Sequence, residues 1–147
     1  MAVARAPAFI RSAGLGSCVG IVLYEPFINI GGLAHAMLPR CRPGREDSRE
    51  KYVDTSVHLM LEKLLGMGAI RENIVAKLAG GAQMFSRAES DLLVIGSKNI
   101  IAAGQVLSEL GIPIIAQDVG GNHGRTLEFN CSDGALWIRT LQGETKI

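Results

Sequence analysis

Two apolar runs, residues 17–24 and 28–38, meet at Glu25-Pro26-Phe27, and they constrain the chain more than any other feature. In the first run, Val19, Ile21 and Leu23 alternate with Val22 and Tyr24, so apolar side chains fall on both parities. A strand with one wet face would alternate apolar with polar. Apolar character on both faces instead implies a sheet covered on both sides. The two runs therefore predict an antiparallel hairpin held between layers. Pairing Tyr24 with Asn29 across the turn would set Cys18 directly opposite His35, and opposed residues have Cβ atoms roughly 4.5–5.5 Å apart. A bulge at Gly31-Gly32 would shift that register. Pro26-Phe27 is not a favoured two-residue turn, so a longer loop is the alternative.

A thiol facing an imidazole admits two readings. In one, Cys18 is a small buried hydrophobe and His35 a satisfied core histidine. In the other they act together: an unperturbed thiol has a pKa of about 8.5, and an adjacent imidazolium stabilises the nucleophilic thiolate. The glycines of Gly14-Leu15-Gly16-Ser17-Cys18-Val19-Gly20 favour the second reading. A tight turn of low bulk before a sulfur can aim backbone N–H groups at a developing oxyanion.

With 147 residues, 48% of them hydrophobic, the chain is expected to form one domain over residues 1–147 with a proper core. Fifteen basic and 14 acidic side chains leave a net charge of +1, so the broad positive field of a nucleic-acid binder is missing. The opening Met1-Ala2-Val3-Ala4-Arg5-Ala6-Pro7 lacks the apolar core of a signal peptide, and no apolar run reaches bilayer length. A cytoplasmic location is expected. Cys18, Cys41 and Cys131 are widely spaced and odd in number, which fits neither a disulfide framework nor a zinc site. His58 and His123 add no ligand at close spacing.

Along the chain, residues 9–13 read as a short first strand. Residues 39–50 read as an irregular loop in which Arg40, Arg42, Arg45 and Arg49 are interleaved with Glu46, Asp47 and Glu50, the pattern of a solvated segment. Val53, Val57, Met60, Leu61 and Leu64 recur at helical spacing and predict a helix over residues 52–67, stopped by Gly68. Asp54 and His58 lie four apart on it, an ordinary exposed pair. Residues 72–78 read as a strand entering Ala79-Gly80-Gly81-Ala82. A loop with Met84 and Phe85, read as loop anchors more than a contact patch, then leads to Ser97 as N-cap. The second helix is expected over residues 98–110, with Ile100, Ala103, Gly104 and Leu107 on one face. A buried strand over residues 113–117 precedes Asp118-Val119-Gly120-Gly121. A last hairpin turns at Asp133-Gly134 between Leu127 and Phe129 on one arm and Leu136 and Ile138 on the other. This mixed order points to the α/β class, as a layered sandwich with two main helices and a mixed, largely antiparallel sheet. Gly80-Gly81 and Gly120-Gly121 fit no nucleotide-binding motif and read as turns or close backbone approaches.

Taken together, Gly14-Leu15-Gly16-Ser17-Cys18, Gly31-Gly32-Leu33-Ala34-His35-Ala36-Met37-Leu38-Pro39, Ala79-Gly80-Gly81-Ala82, Ile95-Gly96-Ser97-Lys98-Asn99 and Asp118-Val119-Gly120-Gly121 resemble the chemoreceptor glutamine deamidase family, CheD, over nearly the whole chain. The resemblance implies an α/β/α sandwich that hydrolyses glutamine side chains of methyl-accepting chemotaxis receptors to glutamates, without a cofactor. It implies that Cys18 is the nucleophile and His35 the base. Ser12 stands where the family carries a threonine that orients the histidine. The implied partners are the receptors, met from the cytoplasm through protein contacts, and a CheC-type phosphatase. Cys41 and Cys131 are expected to be spectators. Two other functions fit the same residues: hydrolysis of receptor glutamate methyl esters, and a non-catalytic module that binds and stimulates the phosphatase. A redox sensor fits less well, because no second cysteine lies near Cys18.

Overall fold

The computed structural model describes residues 1–44, 46–83 and 95–147, with the backbone alone for residues 46 and 47. Met84 and Phe85 lie outside the described residues. Those described form nine strands and two α-helices. β1 (Ala2–Arg5), β4 (Ile30–Ala36), β3 (Val19–Glu25), β5 (Val75–Gly80) and β6 (Ile114–Val119) make a five-stranded sheet in that order. It is antiparallel except for the parallel β5–β6 pair. β2 (Phe9–Leu15), β7 (Arg125–Asn130), β8 (Leu136–Thr140) and β9 (Gly143–Lys146) make a second, antiparallel sheet.

The expected α/β class, mixed sheet and two main helices are present, and the layers follow from the parity of β3. Val19, Ile21 and Leu23 join a core with Val57, Met60 and Leu64 of α1 (Val53–Gly66) and Ala103, Val106 and Leu107 of α2 (Ile95–Glu109). Val22 and Tyr24, on the other face, pack with Leu127, Phe129, Leu136 and Ile138 of the second sheet. Every residue of β3 is buried. Among the described residues both helices cover one face, and the layer on the far face is a sheet where the family resemblance implied helix.

The hairpin forms with a longer turn than Pro26-Phe27. Tyr24 pairs with Gly31 and Glu25 with Ile30, so four residues make the connection. Asn29 takes a positive φ of 53° and accepts a 2.8 Å hydrogen bond from the Tyr24 hydroxyl. The Phe27 amide donates to Glu25 at 3.1 Å. The register is therefore displaced by two residues from the expected one, and Gly20, in place of Cys18, stands opposite His35. An even displacement keeps every side chain on its face, because the strand period is two.

Other elements depart in smaller ways. β1 and β9 were not anticipated. β6 is an edge strand with Ile114 and Ile115 exposed, in contrast to the buried strand expected there. Residues 71–73 form a short 3-10 turn before β5, which then runs to Gly80. α2 is helical from Ile95, so Ser97 lies inside it and takes a 3.0 Å hydrogen bond from Gln83. Its buried stripe is Gly96, Asn99, Ala102, Ala103, Val106 and Leu107, which excludes the expected Ile100 and Gly104. Asp54 does not engage His58. Its carboxylate accepts the Cys41 amide at 3.1 Å and the Thr55 amide at 2.7 Å, anchoring the arginine-rich segment to the start of α1.

Candidate active site

The two sheets approach closely beside His35 because the residue facing it is a glycine. A Cβ on Gly20 would run into the side chains of Leu127 and Leu15. His35 lies on the same face as Leu33, toward the second sheet, and Ser12 of β2 pairs with the buried Leu127 in that sheet. The Ser12 hydroxyl sits 2.9 Å from His35 Nδ1. If Nδ1–H donates to it, Nε2 carries the free lone pair. That Nε2 atom is buried and has no hydrogen-bond partner among the described residues. A buried polar atom left unpaired costs about 1–3 kcal/mol.

Cys18 immediately precedes β3. It lies two residues before Gly20, the strand partner of His35, in the bend that leads into the strand. The opposed pairing expected from the sequence is thus not formed, because the ladder ends at Val19 and Ala36 and Cys18 stands in the bend before it, with no hydrogen bond from the sulfur to His35 Nε2. Both groups are half-buried, and burial shifts them in opposite directions. It raises the Cys18 thiol, which its own backbone N–H partly offsets, and it lowers His35. Each shift favours the neutral form. Both directions run against the thiolate–imidazolium pair considered from the sequence.

The backbone before the sulfur is clamped at three successive carbonyls. Gly16 O accepts from the Ala82 amide at 2.8 Å and Cys18 O from the Gly81 amide at 2.7 Å. Ser17 O accepts from the side chain of Asn99 at 2.9 Å. The Gly80-Gly81 pair exists for this approach: a Cβ on Gly80 would stand 2.5 Å from Cys18 O, and one on Gly81 would meet Ile100 of α2. Further out, the Gln83 amide donates to Gly121 O at 2.8 Å, and buried Arg125 ties that loop through Asp118 at 2.7 Å and Gly120 O at 2.9 Å. Four of the five segments noted in the sequence, and the far end of the fifth at Met37, are thus drawn to one end of the fold. Asn99 carried no role in the sequence reading, although a polar residue in phase with Ala102, Ala103 and Val106 was a visible signal.

A groove of about 670 Å³ opens on the helix side, between the segment leaving β4 and α2, with Leu38, Arg40, Arg42, Tyr52 and Ile101 in its lining. Ser12, Cys18 and His35 are not among the residues that line it. Cys131 is fully buried with Phe129 and Leu136 of the second sheet, and the Cys41 amide is held by Asp54 at the start of α1. Among the described residues, no cluster of three His, Cys, Asp or Glu side chains could hold a metal. Among the described residues, no helix is long and apolar enough to cross a membrane.

The family model for CheD chemotactic sensory transduction matches residues 37–140. The chain is 51% identical to the chemoreceptor glutamine deamidase CheD of Halalkalibacterium halodurans, over 99% of this chain and 92% of that protein. It is 47% identical to the "Probable chemoreceptor glutamine deamidase CheD" of Caldanaerobacter subterraneus subsp. tengcongensis, over 95% of this chain and 87% of that protein. A "Probable chemoreceptor glutamine deamidase CheD" of Pyrococcus abyssi is 44% identical over 97% of this chain and 88% of its own length. The family match begins after His35, but these relatives extend over nearly the whole chain.

Proposed function

The chain belongs to the CheD family, and on that premise we propose that it hydrolyses glutamine side chains of chemotaxis receptors through Cys18, His35 and Ser12. The supporting observation is the Ser12–His35 contact at Nδ1 together with the unpaired Nε2, with Cys18 two residues before Gly20, the strand partner of His35. Ser12 accepting from Nδ1–H leaves Nε2 as the base.

In the proposed reaction the Cys18 sulfur bonds to the carboxamide carbon as its proton passes to Nε2. The carbonyl oxygen becomes an oxyanion, held by backbone N–H groups that include that of Cys18. His35 returns the proton to the nitrogen, the C–N bond breaks, and ammonia leaves a thioester. Water then gives a proton to Nε2 and its oxygen to the carbon. The C–S bond breaks, the sulfur regains its proton, and the receptor carries glutamate. No cofactor enters. The missing sulfur–Nε2 hydrogen bond is compatible with this scheme, because catalytic hydrogen bonds often tighten only when substrate is bound. The proposed setting is the cytoplasm, with a CheC-type phosphatase docking near the same end.

The reading is tested by ammonia release from receptor with wild-type protein and with Cys18→Ala: release should be lost with the sulfur, and equal release by both would sink it. Ser12→Ala removes one neutral hydrogen bond, about 0.5–1.5 kcal/mol or roughly two- to tenfold in rate. Steady-state kinetics should show that loss in kcat, and an unchanged kcat would remove Ser12 from the site. The pH dependence follows from the two shifts. His35 must be neutral to act, and burial lowers its pKa, so the acid limb of kcat/KM should lie below the ordinary imidazole value of about 6.5. Alkylation of Cys18 by iodoacetamide should rise with a midpoint above the usual thiol value of about 8.5. A midpoint well below neutrality would reveal a preformed ion pair instead.

A further inference from the structure

Asn99 is fully buried in the first turns of α2, and its Nδ2 group forks between two carbonyls that belong to different halves of the site. One N–H donates to Ser17 O at 2.9 Å, immediately before the nucleophile, and the other to Met37 O at 3.0 Å, two residues after His35. The amide orientation is set by these contacts, since a flipped side chain would point its oxygen at two carbonyl oxygens. Its Oδ1 has no partner among the described residues. The position thus tolerates an unpaired buried acceptor in order to keep two donors.

The consequence lies in the Ser17–Cys18 peptide. In a trans peptide the C=O and the following N–H point in opposite directions. Drawing Ser17 O toward α2 therefore turns the Cys18 N–H away from the helix. With Gly16 O and Cys18 O also engaged, by Ala82 and Gly81, the peptide has no freedom to rotate. We infer that Asn99 is a positioning residue that fixes the Cys18 backbone N–H as an oxyanion donor and ties that peptide to the strand carrying His35. This rests on the deamidase reading above.

The test compares kcat, KM and Cys18 alkylation in wild type, Asn99→Asp and Asn99→Ala, with a melting curve for each. Asn99→Asp keeps the shape while removing both donors, and Asn99→Ala removes the group. Losing one preorganised oxyanion donor costs roughly 10²–10³-fold in kcat, so that loss is expected with KM almost unchanged. Iodoacetamide alkylation builds no oxyanion and should stay near the wild-type rate. A general loosening of the site would slow both reactions together, and that result would overturn the proposal, as would a wild-type kcat in either folded variant. If neither variant folds, Asn99 holds the domain and not the peptide, and the proposal also fails. A wild type that releases no ammonia condemns the deamidase reading itself, whereas an active wild type with equally active variants condemns only the role of Asn99.

Discussion

Cys18→Ala is expected to yield a folded protein whose release of ammonia from receptor has dropped by roughly 10⁴–10⁶-fold, the range found when a member of a coupled nucleophile–base pair is removed. The fold should tolerate the change. Cys18 is only half-buried, and the loop around it is held through backbone carbonyls, which alanine retains. His35→Ala should cost a similar factor, and the double variant should lose little more, because sulfur and ring act on the same step. A double variant whose loss equals the product of the single losses would mean that the two act independently, contrary to proton transfer between them. Melting curves alongside the kinetics separate lost chemistry from lost fold.

Gly80→Ala is expected to have the largest effect on stability. Gly80 has φ +106° and its added Cβ would stand 2.5 Å from Cys18 O, a backbone atom that cannot rotate away. Overpacking and positive-φ strain each cost about 1–3 kcal/mol, so roughly 2–6 kcal/mol together. For a chain of this size that corresponds to a fall in melting temperature on the order of 10 °C. Because Gly81 N–H holds Cys18 O from the next position, deamidation should fall even in the surviving folded fraction. A variant that melts like wild type would show that the β5 end does not press against the nucleophile loop. Gly20→Ala presses on the movable side chains of Leu127 and Leu15 instead, and the milder cost expected there is a useful comparison.

These two glycines show what a sequence can and cannot disclose. Gly80-Gly81 was legible as a place of close backbone approach, but the identity of the approaching atom is a tertiary fact. The faces of the β3 and β4 residues were legible because parity depends only on period two. Their register was not, because it depended on how many residues Asn29 and its neighbours would spend on the turn. α1 was readable from five apolar residues in phase, and its start is fixed by Leu38 O accepting the Val53 amide at 2.8 Å where no side chain caps it. β1 and β9 gave no alternating pattern to read: they are short edge strands, and β9 is exposed throughout. Ile114 and Ile115 were misjudged as buried because an apolar run does not reveal that its strand lies at a sheet edge. The far layer could not be told from helix by composition, since it arises from the packing of Leu127, Phe129, Leu136 and Ile138 onto Val22 and Tyr24.

Mass spectrometry of a receptor's cytoplasmic helices, taken before and after incubation with the purified protein, decides whether a glutamine amide is converted through the sulfur of Cys18. The expected result is the amide-to-acid mass increase at discrete glutamines with wild type and its absence with Cys18→Ala. Unmodified glutamines after full incubation with folded wild type, or the same increase produced by the alanine variant, would contradict it.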